Sequence, residues 1–497
     1  MDLSVAEIAE ATGSVCPEGA QAEVRVTGVS WDSRVVAPGD LYVALPGERV
    51  DGHDFIVSAI DAGAVAVLAT REIEAVVPVL VVEDVTKAFT DLAAYWRTCL
   101  TGTVIGLTGS TGKTTTKNLV RDVLMHDMSV VATKANQNNE LGVPRTLLAA
   151  DRHTQAVVVE MGMRGRGQIT ELTEIAQPAW GLITNVGTSH IELLGSREEI
   201  ARAKAELFEA LPESYGIAFV NACDEYALDV CNFARLEERG VQVVLFAGDA
   251  SVASHTLKQL QATDEDEESL SDPLSLPLVW ASDVVVDSEG RASFTMNAVG
   301  FEQLQLPDAN GSHQCDLQLL GIHNVSNACS AAAVGLASGM TMEACCEALE
   351  AAQPERGRQQ VHHTPDGIMV IDDAYNANLD SMPASLQTFA SMKVQGRRFA
   401  VLGDMLELGE YTRESHEQVG TVAAKVHIDK LVCVGELSHL IAEAAREAGM
   451  DPECITMCTN AEEAADVVQP QLEPGDAVLV KASHSIGLQR VVERLVI

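Results

Sequence analysis

The sequence predicts an α/β protein of three consecutive domains. Three observations carry that prediction: the length, two blocks in which short β-rich runs alternate with helical patterns, and one glycine-rich turn set between a strand and a helix. At 497 residues the chain has room for about three domains and several sizeable cores. Hydrophobic residues make up 47% of it, which excludes a disordered or fibrous chain. The charge balance excludes more. Lys and Arg total 33 against 72 Asp and Glu, a net charge of −39. A general nucleic-acid binder needs a basic face, and an anionic membrane would repel this surface. Salt adaptation and an ordinary acidic cytosolic enzyme are both compatible with the surplus of carboxylate.

The 11 cysteines are odd in number, scattered and without a CxxC pair. They read as reduced thiols in a reducing compartment. Cys454 and Cys458 lack the second pair that a zinc site needs. The opening Met1–Gly13 carries acids and no long apolar core, so it is not expected to be a signal peptide. No run of roughly 18 apolar residues is present, so no membrane span is expected, and the expected location is the cytoplasm.

Residues 1–98 open with an amphipathic helix and continue through short strands at Leu41–Ala44 and Val79–Val82, with polar turns at Ser30–Arg34 and Gly47–Asp54. Residues 99–352 form the longest block. Strand Val104–Thr108 precedes a helix from Lys113, Ala156–Glu160 precedes one near Gln168, and Gly181–Asn185 precedes one at Arg197–Leu211. This alternation predicts a parallel sheet with crossover helices. The acidic run Thr263–Asp272 interrupts it and reads as a solvated insertion at about 250–275. Residues 353–497 alternate again, with strands at Ile368–Ile371, Phe399–Leu402, Lys430–Val434 and Ala477–Val480, as a second α/β unit.

The most informative stretch is Thr108-Gly-Ser-Thr-Gly-Lys-Thr-Thr115. Gly109 and Gly112 can take backbone angles closed to other residues. The N–H groups of Gly109, Ser110, Thr111, Gly112 and Thr115 can then face a phosphate at the start of a helix. Lys113 can reach the β- and γ-phosphates, and the Thr114 hydroxyl can ligate Mg²⁺. The strict pattern wants a glycine where Leu107 stands, so the first glycine is displaced to Gly106 or Gly109.

Three separated residues suit a metal centre beside this turn. Glu160 ends a buried strand, and the C-terminal ends of parallel strands share one edge. The run after the next strand delivers Asn185 and His190 to that edge. Lys204 lies on the following helix; as an ammonium it cannot bind a metal, and a surface lysine remains an open reading.

At this point the residues resemble the Mur ligase family. The phosphate turn, Asn136-Gln-Asn-Asn139 with Gly142-Val-Pro144, Glu160-Met-Gly162, Asn185–His190, Ala203-Lys-Ala-Glu206 and Gly321-Ile-His-Asn-Val-Ser-Asn-Ala328 occur in family order across nearly the whole chain. Asp372-Asp-Ala-Tyr-Asn-Ala-Asn378, Asp380-Ser-Met382 and Leu402-Gly-Asp-Met-Leu-Glu-Leu-Gly409 resemble members that add D-alanyl-D-alanine to UDP-N-acetylmuramoyl-tripeptide. Asp32-Ser-Arg34, Pro38-Gly-Asp40 and Asp51-Gly-His-Asp-Phe55 resemble a uridine-nucleotide domain.

The resemblance implies a central P-loop-type parallel sheet with flanking helices, a C-terminal Rossmann-like domain and a small N-terminal α/β uridine-nucleotide domain. It implies ATP and Mg²⁺ as cofactors, amide formation through an acyl phosphate, and a monomer. Lys113 and the turn would hold ATP phosphates. Thr114 and Glu160 would hold one Mg²⁺; His190 and a carbamylated Lys204 would hold another. His323, Asn324 and Asn327 would lie near adenine, with Arg358 and Asp373 closing on the nucleotide. Ser33, Arg34, Asp51, His53, Asn138, Asn139, Tyr375, Asn376, Asn378 and Lys481 would contact the substrates. The chain departs from the family at Leu379, where proline is usual, and at Lys481-Ala-Ser-His-Ser485, where Lys-Gly-Ser-Arg-Ser is usual. A related ligase with another amino donor and a non-catalytic nucleotide-binding regulator remain the alternatives.

Overall fold

The structure is a computed structural model and describes residues 1–47, 50–249 and 276–496. The acidic run at 263–272 lies outside the described residues. The fold is α/β, with three sheet-centred units along the chain and flanking helices.

The first unit is a four-stranded parallel sheet in the order Gly28–Ser30, Asp40–Val43, Ala66–Ala69, Val79–Val81. The opening helix Val5–Thr12 starts on a capping box, in which Ser4 and Glu7 satisfy each other's backbone N–H groups. It stops at Gly13, left-handed at φ +67°. Helix Val85–Cys99 ties this unit to the next: Trp96 is fully buried and its Nε1 donates to the Ala150 carbonyl at 3.0 Å.

The second unit is a nine-stranded sheet in the order Gly311–Leu320, Arg291–Val299, Leu278–Val286, Gln242–Ala247, Ile217–Asn221, Trp180–Ile183, Thr103–Thr108, Ala156–Glu160, Val130–Ala132. The expected all-parallel sheet is corrected here. Strand Arg291–Val299 runs antiparallel to both of its neighbours. The reason is connection length: a few residues around Gly290 join two strands, too short a link for a crossover. The signal was readable, because Arg291–Val299 alternates buried with half-exposed residues at period two. Its inward Phe294, Met296 and Ala298 share a core with helix His323–Ala337.

The third unit has six strands in the order Gln360–His363, Met369–Asp372, Ala477–Lys481, Arg398–Gly403, Lys430–Val434, Ile455–Cys458. All pair in parallel except Gln360–His363. Apolar clusters cover both faces, as a doubly wound sheet requires. The expected strands fall within two residues of those observed, whereas Gln360–His363 and Ile455–Cys458 were not foreseen. All eleven cysteines are free thiols. Among the described residues no helix is long and apolar enough to cross a membrane.

Candidate active site

A cavity of about 1450 Å³ lies where the second and third units meet. Its wall begins at the glycine-rich turn. Gly109, rather than Gly106, is the turn glycine: Gly106 sits inside strand Thr103–Thr108, packed under Leu207. A Cβ on Gly109 would lie 1.8 Å from Thr184 Oγ1. Gly112 is left-handed at φ +75°, and a Cβ there would meet Asn327 Oδ1 at 2.8 Å. The turn is braced from the neighbouring strand end. Asn185 Oδ1 accepts from Thr111 N–H at 3.0 Å, its amide donates to Thr111 Oγ1 at 2.9 Å, and Thr184 Oγ1 donates to the Thr111 carbonyl at 2.7 Å. Lys113 Nζ donates to the carbonyls of Gly109 at 2.8 Å and Ser110 at 3.3 Å. Burial pushes its pKa down, Glu160 opposes this, and Arg358 reinforces it.

Glu160 stands beside Thr114. Its Oε1 accepts from Thr114 Oγ1 at 3.3 Å and from Asn138 Nδ2 at 2.8 Å. Its Oε2 is buried with no hydrogen-bond partner. A buried, unsatisfied carboxylate oxygen is costly in isolation, and beside a hydroxyl and a phosphate-binding turn it fits a hard divalent cation. Arg358 Nη2 donates to the same Thr114 Oγ1 at 2.9 Å.

His190 lines the cavity on the other side of the turn. Its Nδ1 lies 3.1 Å from Glu407 Oε2. Burial lowers its pKa, Lys113 and Lys204 push the same way, and Glu407 opposes them. Lys204 is 1% exposed and is not among the residues that line the cavity. Among the described residues no hydrogen bond or ion pair holds its ammonium. Burial lowers its pKa well below the ordinary value, with Lys113 adding to the effect and Asp224 opposing it. No three His, Cys, Asp or Glu side chains among the described residues converge as a ready-made metal cluster. That suits Mg²⁺, which is commonly held by one or two carboxylates together with substrate phosphates.

Asn324 and Asn327 are buried and bonded in series: Thr116 Oγ1 donates to Asn327 Oδ1 at 3.1 Å, and Asn327 Nδ2 to Asn324 Oδ1 at 2.8 Å. His323 stands exposed at the cavity edge beside them. Asn139 faces the cavity, but its Oδ1 accepts from Gly142 N–H.

The third unit closes the other wall. Lys481 Nζ pairs with Asp373 Oδ2 at 2.8 Å and donates to the Asn376 carbonyl at 2.9 Å. The Ser385 hydroxyl also donates to Asp373. The Arg358 guanidinium lies 4.1 Å from the Tyr375 ring centre, and the His484 ring, tilted at 43°, lies 5.6 Å from it. Asn378 Nδ2 crosses to Ser189 Oγ at 2.9 Å, and Asp380 accepts from Thr188 N–H at 3.0 Å. One stability prediction follows from the buried pair. Lys481→Met leaves Asp373 charged and without its cation, and is expected to destabilise the protein by about 3–5 kcal/mol. Thermal denaturation checks it; an unchanged melting temperature would dismiss the pair as structural glue.

Ser33, Arg34, Asp51 and His53 do not line this cavity. Arg34 is bound to Asp32 at 2.7 Å, and that contact holds the Asp32 pKa down to about 2. Ser33 sits between them. Asp51 caps the turn Gly52–Phe55 through His53 N–H, and lies 2.6 Å from His53 Nδ1.

Sequence reading gave no role to three residues that the structure engages. Asn185 braces the turn, and Glu407 contacts His190. Lys117, 1% exposed, donates to the carbonyls of Thr133 at 2.8 Å and Ala135 at 3.2 Å. It thereby holds the left-handed turn at Ala135 that leads to Asn138. Its signal was available, since it lies one helical turn beyond Lys113 on the same face.

Fold and site together define a three-unit α/β protein with a glycine-rich strand–turn–helix at a cavity between its second and third units. The chain belongs to the Mur ligase family. Profiles described as Mur ligase family, catalytic domain; Mur ligase middle domain; and Mur ligase, glutamate ligase domain match residues 25–97, 107–335 and 357–484. The chain is 38% identical to the UDP-N-acetylmuramoyl-tripeptide–D-alanyl-D-alanine ligase of Mycobacterium leprae, covering 100% of this chain and 98% of that one. It is 32% identical to the Escherichia coli protein of the same name, over 95% and 94% of the two chains. Among solved structures, MurF from Acinetobacter baumannii superposes with a TM-score of 0.79 at 28% identity, covering 100% and 99%. MurF ligase from Thermotoga maritima in complex with ADP gives 0.71 at 26% identity, covering 95% and 97%.

Proposed function

We propose that the protein joins D-alanyl-D-alanine to UDP-N-acetylmuramoyl-tripeptide, using ATP and releasing ADP and phosphate, as a step in building peptidoglycan precursors. The observation that carries this reading is one cavity shared by Thr114, Glu160 and His190 of the second unit and Asp373, Tyr375 and Lys481 of the third. Relatives of that activity, matched over nearly the full chain, support it.

A free carboxylate does not form an amide readily, because oxide is a poor leaving group. Transfer of the γ-phosphoryl group of ATP to the tripeptide carboxylate gives an acyl phosphate and ADP. The dipeptide amine then attacks the carbonyl, and phosphate leaves. Both reactants of the first step are anions. Lys113 and the N–H groups of Gly109–Thr115 other than those of Ser110 and Thr111, which are bonded to Asn185, would offset their repulsion and hold the transferring oxygens. Thr114 and Glu160 would hold one Mg²⁺, with His190 and Lys204, as its carbamate, holding a second; when bound, the cations neutralise developing charge on phosphate oxygens. Arg358, already at Thr114, would face the phosphates. His323, Asn324 and Asn327 would border the adenine. Asn138 orients Glu160, and Asn376, Asn378, Lys481 and Tyr375 line the approach of the dipeptide.

Each unit would supply one substrate site. Residues 1–98 would take the uridine nucleotide through Ser33, Arg34, Asp51 and His53, residues 99–352 would take ATP, and residues 353–497 the dipeptide. Docking of the units would exclude water from the acyl phosphate. A monomer acting in the cytoplasm, where nucleotide-linked substrates are made, is part of this reading.

Incubation with UDP-N-acetylmuramoyl-tripeptide, D-alanyl-D-alanine, ATP and Mg²⁺ tests the reading. The expected product, by mass spectrometry, is the pentapeptide nucleotide with one ADP and one phosphate per amide. Phosphate release that ignores both acceptors would overturn it. Product formation with another amine alone would assign a different donor.

A further inference from the structure

Glu407 stands on the loop that follows strand Arg398–Gly403, and that loop is pinned along its length. Ser438 N–H donates to Asp404 Oδ1 at 2.8 Å, Met405 N–H to His416 Nε2 at 3.0 Å, and Leu406 N–H to Ser483 Oγ at 3.0 Å. The pinned loop keeps Glu407 at φ +61°, in the left-handed region that a side chain with a Cβ disfavours. Its carboxylate reaches into the second unit. One oxygen lies 3.1 Å from His190 Nδ1 and the other 3.3 Å from Arg164 Nη2. His190 is itself left-handed, at φ +64°.

Stability does not account for this arrangement. The Glu407 and Arg164 side chains are 46% and 70% exposed, and ion pairs so open to water contribute little. Backbone strain kept in place by an over-determined loop is concentrated at functional positions. The His190 contact supplies a function. Its Nδ1 is buried and has no hydrogen-bond partner in good geometry; Glu407 Oε2 is within reach, needing only alignment of the ring. A histidine that ligates a metal through one ring nitrogen commonly donates the other N–H to a carboxylate, which fixes the ring and decides which nitrogen faces the ion.

We propose that Glu407 is a positioning residue for His190: it holds Nδ1 from across the domain boundary and turns Nε2 towards the cation site, so that this site is complete only when the third unit is docked. This rests on the reading of His190 as a cation-holding residue. Cation affinity at His190 is then coupled to domain docking before any chemistry occurs.

Mn²⁺ titration of the full-length protein with a non-hydrolysable ATP analogue, followed by electron paramagnetic resonance, tests it. The wild type is expected to bind two Mn²⁺. Glu407→Gly removes the carboxylate and relieves the left-handed strain. It should weaken one site by about 10–100-fold, leave the other unchanged, and keep or raise the melting temperature. Glu407→Gln retains an acceptor oxygen and should restore much of the affinity. Arg164→Ala, which cuts only the other arm of the contact, should leave both sites intact. Two wild-type sites that Glu407→Gly does not disturb would overturn the proposal while sparing the reading of His190, and so would an Arg164→Ala loss as large as that of Glu407→Gly. A wild type with one Mn²⁺ site that is insensitive to His190→Ala would overturn the reading of His190 and the proposal with it.

Discussion

Lys113→Met is expected to abolish ATP-dependent phosphate release, with kcat lower by about 10²–10³-fold or more. The substitution keeps the length of the side chain and removes its charge. Lys113 is the cation that the turn itself carries: its ammonium is bonded to the carbonyls of Gly109 and Ser110. Burial already disfavours its charged form, so a negative phosphate oxygen arriving there gains more from the pairing than it would in water. Loss of the positive end removes an interaction that strengthens as charge spreads over the transferring oxygens. A phosphate-release assay with both acceptors present checks it, alongside a melting curve to show that the variant folds. Retained turnover with both acceptors would mean that the turn does not hold the reacting triphosphate.

The second large effect is expected at Lys204. Lys204→Ala should lose about 10²–10³-fold in activity, and a short carboxylate such as formate, or bicarbonate, should restore part of it. A lysine that is 1% exposed, its ammonium without a partner among the described residues, is poorly placed to remain charged. Burial lowers its pKa well below the ordinary value, which favours the neutral amine. That amine can add to CO₂, forming an N–C bond and releasing one proton, and the product is a carbamate with two oxygen donors. A buried amine thereby becomes an anionic ligand suited to a hard ion. Full activity of Lys204→Ala without any additive would remove the carbamate from the mechanism.

The same lysine has a stability signature. In the absence of CO₂ the unfolded chain binds the Lys204 proton more tightly than the native protein does. Between the lowered native pKa and the ordinary value of 10.5, the unfolded state therefore carries more protons, and stability rises with pH through that window. Lys204→Met should flatten the rise. Urea unfolding at a series of pH values measures it, and an unchanged slope would show that Lys204 titrates normally.

Much of the candidate site could be read from the chain because its chemistry is contiguous. Gly109–Thr115 needs only the order of residues to place a strand, a turn and a helix start, and the structure places them so. Glu160 was legible as the acid that ends a run of buried valines. The antiparallel edge of the central sheet was misread although its period-two pattern was present at Arg291–Val299; the expectation of crossover helices outweighed a local alternation. Lys481 and Asp373 were singled out separately, and nothing in their spacing announced that they form one buried pair. Ser33, Arg34, Asp51 and His53, expected as substrate contacts, lie outside this cavity; Arg34 pairs with Asp32, and Asp51 caps the turn at His53.

By itself the sequence determined the sheet-and-helix class, the glycine-rich strand–turn–helix and the family. Hydrophobic period and glycine placement act over a few residues, so they survive without knowledge of the rest of the chain. Only the tertiary structure decided that Thr114, Glu160 and His190 share a cavity with Asp373 and Lys481, that Arg358 already touches Thr114, and that Glu407 faces His190. Those contacts join strand ends and loops far apart in sequence. Their distances are set by how two separately packed sheets dock against each other, and a string of residue types does not encode that docking locally.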